Sequence, residues 1–216
     1  MKKKSLKIFV LTFFLLFGIC VEIHSTPSIA TTSIATTKTI KKGKIYIKMQ
    51  KPSEYKKEIK AIEKALKKAP DLLTDKCKNV YLLDNTQFKK EAKKHHITDT
   101  RHVRAFTSSK DETIRIRLSK GKKHDYVHTL YHELAHVYDF YDSPKEGEGK
   151  YSSSKSFIKL YQNGTTNLSH YAESDNMEYF AEASWLYFKK PEELQARNYR
   201  LYQYLDDIYG KQKAIE

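Results

Sequence analysis

A chain of 216 residues with 39% hydrophobic and 12% aromatic content can bury a sizeable core, which excludes a disordered chain. Its net charge of +14 suits an acidic partner, but the lysines are scattered along helical faces and read first as a solvated surface, with at most weak polyanion binding and no specific nucleic-acid site. Cysteine is limited to Cys20 and Cys77, so a disulfide scaffold and a cysteine metal cluster are both excluded.

In chain order, residues 1–30 read as a signal peptide. Basic MKKKSLK precedes the uncharged run Ile8 to Val21, which is short for a membrane span, and Ser28-Ile29-Ala30 offers a cleavage site. An uncleaved anchor at the cell surface is the alternative; either way the working part lies outside the cytoplasm. Residues 31–43 follow from a repeated SIATT, have little to bury and read as a flexible linker. The folded domain is then 44–216, expected as a monomer.

Within that domain, IYIKM and VYLLD read as strands. Tyr55, Ile59, Ile62 and Leu66 recur at helical spacing, and Thr86 to Lys94 reads as a short helix. VRAF and TIRIRL flank the polar turn TSSKDE, which predicts a hairpin. In TIRIRL the alternation places Arg115 and Arg117 on a wet face, where they read first as solvated side chains and, as the alternative, would favour acidic residues in a bound substrate. Helices are expected from His124 to Tyr141, Ser154 to Gln162, Asp175 to Phe188, and Pro191 to Tyr209. The order of elements predicts an α+β fold: a small mixed or antiparallel sheet, one central helix and a mostly helical C-terminal half.

The stretch HDYVHTLYHELAH carries His124, His128, His132 and His136, each one helical turn from the next. Spacing alone does not choose among them, but Glu133 does. On a helix His132 and His136 can present two imidazole nitrogens to one zinc ion, while Glu133, offset from that face, can reach a water beside it. His128 is read as a packing or supporting group, and His124 as exposed near the helix start. A catalytic zinc needs a third protein ligand, and Glu178 or Glu182, one turn apart in DNMEYFAEASW, are the candidates. Against this, Asp175 and Glu178 also fit a capping box.

HELAH, a tyrosine seven residues before a glutamate, and EYFAE together resemble the zinc metallopeptidases similar to the anthrax lethal factor catalytic domain, a family that includes Pro-Pro endopeptidases. The resemblance implies a gluzincin-like secreted zinc endopeptidase acting on protein or peptide substrates, with one zinc per chain. His132, His136 and Glu178 would hold zinc, Glu133 would be the general base, Tyr171 would stabilise the oxyanion, and Glu182 would orient a ligand histidine. The strand Thr113 to Leu118 would border the cleft and pair with substrate. The segment ITDTRHVRAFTSSKDE lacks the tryptophan and glycines of the Pro-Pro endopeptidases, and Met177 precedes Glu178, so Pro-Pro cleavage is not implied. The rival reading is a non-catalytic zinc-holding or polyanion-binding extracellular protein.

Overall fold

The computed structural model describes residues 36–40, 45–49, 51–120, 124–141, 149–163, 168–169 and 171–213, with side chains up to residue 210. The signal segment 1–30 lies outside the described residues. Among those described, no helix is long and apolar enough to cross a membrane.

The strands are β1 (Thr36–Ile40), β2 (Ile45–Met49), β3 (Asn79–Leu83), β4 (Ala105–Ser108) and β5 (Thr113–Arg117). They form one mixed sheet in the order β1-β2-β3-β5-β4, with β2, β3 and β5 parallel and the two outer strands antiparallel to their neighbours. The helices are α1 (Lys56–Lys68), α2 (Asp71–Thr74), α3 (Asn85–Lys94), α4 (Tyr126–Phe140), α5 (Lys155–Gln162), α6 (Asn176–Lys189), α7 (Pro191–Arg197) and α8 (Tyr199–Lys213). This is the α+β fold expected, with a mixed sheet and a helical C-terminal half.

Alternation in the strands sets the main core. Ile45, Ile47, Val80, Leu82, Ile114 and Ile116 are fully buried and share one cluster with Ile62 and Leu66 of α1 and Leu130 and Leu134 of α4. A smaller cluster of Leu83, Phe88, Ala92 and Phe106 lies under α3.

That second cluster corrects the reading of β5. Arg115 and Arg117 do alternate with the isoleucines, but their face is covered, leaving them 3% and 8% exposed. Arg115 is neutralised by Asp111 at 2.5 Å and Glu91 at 3.3 Å, so it is structural. A second correction concerns the cleft. β5 is paired on both sides, by β3 and β4, and has no free edge for a substrate; at this end of the sheet the terminal strand is β4.

Two further differences have local causes. Thr36–Ile40, assigned to the linker 31–43, form β1 and pair with β2 from Thr36↔Met49 to Ile40↔Ile45. Only Ile40 is buried there, because a ladder satisfies backbone groups without needing an apolar face, and threonine suits a strand. The helix expected from Pro191 to Tyr209 is two helices broken at Asn198, whose side chain accepts from Leu201 N at 3.0 Å and starts α8.

Asp139, on α4 and fully buried, anchors the turn that precedes α5. It accepts from Tyr151 N at 2.7 Å, Ser152 N at 3.0 Å and Ser152 Oγ at 2.5 Å. Gly149 approaches so closely that a Cβ there would lie 1.6 Å from Asp139 Oδ2 and 2.3 Å from Ser152 Oγ. Neither atom can retreat without breaking the buried network. Gly149→Ala should therefore cost about 2–3 kcal/mol, read as a melting temperature lower by about 5 °C or more.

Candidate metal centre and active site

α4 starts at Asp125, whose Oδ1 accepts from Val127 N at 3.0 Å and His128 N at 2.9 Å. α6 starts in the same way: Asp175 Oδ1 accepts from Met177 N at 2.8 Å and Glu178 N at 2.9 Å. The cap half of the expected capping box is therefore present, while the Glu178 carboxylate turns to α4. Ala135 on α4 and Ala181 on α6 are fully buried between packed helices, and such small side chains let backbones approach closely.

The approach brings three donors together. His132 Nε2 lies 2.9 Å from Glu178 Oε2, His136 Nε2 lies 3.5 Å from the same oxygen, and the two Nε2 atoms are 3.2 Å apart. Two imidazole nitrogens at that distance must share a proton or a cation between them. Around a tetrahedral ion with bonds of about 2.0–2.1 Å, neighbouring ligand atoms sit roughly 3.3 Å apart, so the donor set fits a divalent metal. These three residues form one of the groups that could hold a metal ion. His136 Nδ1 is buried without a hydrogen-bond partner.

Electrostatics agree with a site built for positive charge. Burial opposes a proton on His132, yet the neighbouring carboxylates of Glu178 and Glu182 outweigh it and hold its pKa at about 10. Burial would raise Glu178, but His132 and His136 hold it far below the usual carboxylate range.

Glu182 lies beside His132, with Oε2 3.4 Å from Nδ1. That contact has ion-pair distance but lacks hydrogen-bond alignment, and the closer partner of Glu182 is His128 Nε2 at 2.9 Å. His128 is thus a supporting group, with its ring edge-on to Trp185 at 4.4 Å. His128, His132 and Glu182 form a second group that could hold a metal, sharing His132 with the first. His124 is half-buried rather than exposed, 3.1 Å from Thr129 Oγ1 and edge-on to Tyr126, because α4 begins only after it.

Glu133 follows His132 on α4, lines both cavities beside the donor cluster and is 6% exposed; burial raises its pKa above the ordinary carboxylate value. Thr107 Oγ1 of β4 donates to its Oε2 at 2.7 Å. Thr107 carries no motif, and its place beside Glu133 follows only from β4 packing on α4. Tyr171 precedes a 3-10 turn, Ala172–Ser174, that leads into the cap of α6 and so explains the seven-residue step to Glu178. Its ring centroid is 5.9 Å from that of His132. The residue is 60% exposed, yet loss of water around the hydroxyl, and then the charges of Glu178 and Glu133, hold its pKa above the ordinary tyrosine value. Glu133 and Tyr171 line cavities on both sides, of about 460 Å³ towards His124 and about 240 Å³ towards Phe140.

A histidine pair one turn apart, a carboxylate from a second helix and a separate buried glutamate, on an α+β frame, define a metallopeptidase of the HExxH class. The comparison with family models agrees: one described as glucose-regulated metallo-peptidase M90 matches residues 75–210, and the chain belongs to that family. The match carries the metallopeptidase class and does not extend to the lethal factor-like family named from the motifs. No curated protein matches the chain.

Proposed function

We propose that this protein is a secreted zinc-dependent endopeptidase. The observation that carries the reading is the convergence of His132, His136 and Glu178 on one point, with Glu133 and Tyr171 beside it in a cleft open on both sides. His132, His136 and Glu178 would hold the zinc. When bound it supplies Lewis acidity and lowers the pKa of water to about 7.

The chain's own residues would do the rest. β4 ends the sheet, so its outer edge can pair with an extended peptide and lay the scissile bond past Glu133. Thr107 holds Oε2 of Glu133, which leaves Oε1 to take the proton of the attacking water and return it to the leaving amine. Burial of Glu133 raises its pKa, the direction that suits a group that both takes and returns a proton. Tyr171 stays protonated well above neutrality and can donate to the oxyanion as it forms. Glu182 steadies His132 and His128.

Metal analysis and a peptide library test this reading together. Native protein should carry one zinc per chain and cleave internal peptide bonds. Tyr171→Phe should retain the metal and lose roughly 100-fold in kcat. Unchanged kcat in that variant would remove Tyr171 from the chemistry, and a native protein that neither holds metal nor cleaves any peptide would remove the function.

A further inference from the structure

Arg115 and Arg117 share a strand, a face and nearly the same burial, but not the same electrostatics. Arg115 has two carboxylates, Asp111 and Glu91. Arg117 has none among the described residues. It donates Nη1 to Thr100 O at 3.0 Å and to Asn85 Oδ1 at 3.5 Å, and its guanidinium lies 5.2 Å from the Phe88 ring. Burial and the like charge of Arg104 both depress its pKa, and no carboxylate among the described residues offsets them. An uncompensated cation in such a place is costly, and a partner anion relieves the cost.

The surroundings supply a place for that anion. Arg117 lines a cavity of about 790 Å³ together with Asn85, Lys89, Lys93, Asp99 and Arg101, and no residue proposed for catalysis lines it. Lys89 and Lys93 are exposed, lie one turn apart on α3, and have no ion pair among the described residues. The single carboxylate in the lining, Asp99, is committed to Arg101, with contacts of 3.0 and 2.7 Å. Three cations are therefore left without a counter-charge, which suits a doubly charged oxyanion better than a single carboxylate. The guanidinium fork also matches phosphate oxygens.

We propose that this cavity binds a phosphate group, with Arg117 as the charge at its wall and Lys89 and Lys93 as the mobile partners. The group can be free phosphate or the phosphate of a small phosphomonoester, for which the cavity has room. The proposal stands apart from peptide hydrolysis.

The test is thermal unfolding of the full chain in phosphate-free buffer, with ionic strength held constant by sodium chloride. Inorganic phosphate should raise the melting temperature saturably, by about 3 °C or more at ten times its midpoint. Glycerol 3-phosphate runs in parallel: a lower midpoint identifies a phosphomonoester, and an equal one identifies phosphate alone as sufficient. Lys89→Ala/Lys93→Ala, both at exposed positions, should weaken the midpoint tenfold or more, and Arg117→Gln should abolish the response. If Arg117→Gln does not fold, the lysine pair decides alone. Phosphate acting at the metal would leave the response intact in the lysine pair. That result, or no rise beyond the chloride control, overturns the proposal.

Discussion

Glu133→Gln is expected to keep the metal and lose hydrolysis, with kcat falling about 1,000-fold. The substitution removes a proton acceptor and almost nothing else. Glutamine has the same shape, and its amide oxygen can still accept from Thr107 Oγ1, now 2.7 Å from Glu133 Oε2. None of the three converging donor atoms belongs to residue 133, so metal content should equal that of the native protein. Burial makes the loss sharper: a side chain 6% exposed leaves little room for bulk water to act as the base instead. Metal analysis and peptide turnover on the same preparation check this. A variant that still hydrolyses at the native rate would mean that another group takes the proton.

Glu178→Gln should act on the metal instead. Here the carboxylate bridges two buried imidazoles, with Oε2 2.9 and 3.5 Å from their Nε2 atoms. Removing one partner of a buried charged set costs about 3–5 kcal/mol, or roughly three orders of magnitude in metal affinity. Competition with a chromogenic chelator measures it. Glu182→Gln is the comparison: acting through His128 and His132, it should cost only about 10–100-fold. If the order reverses, the metal lies in the alternative group of His128, His132 and Glu182.

The candidate centre was legible because helices turn sequence spacing into spatial proximity. HELAH places two imidazoles on one face whatever surrounds it, and Glu133 falls beside that face by the same geometry. Tyr171 and Glu178 were reachable through their seven-residue spacing, although residues alone left Glu178 and Glu182 open as the third ligand. What divides their tasks is the seating of α6 on α4, which turns Glu178 to the Nε2 atoms and Glu182 to His128.

Other features had no local signal. Alternation in TIRIRL separates two faces but says nothing of what covers the second, and α3 covers it. The hairpin was predicted, yet which of its strands ends the sheet depends on β3, which lies some thirty residues earlier in the chain and pairs with β5 rather than β4. Thr107 and Asp139 are ordinary polar residues until packing buries one carboxylate beside the first and folds a turn around the second.

Sequence by itself therefore pointed to the class of chemistry, the α+β character and the pairing of His132 with His136 on one face, because residues one helical turn apart share a face. Tertiary structure alone decided which edge of the hairpin is free, which arginine has a counter-charge, and the distances at which Glu178 and Glu182 meet the imidazoles. Those are matters of distance between segments remote in the chain, and a linear pattern does not encode them.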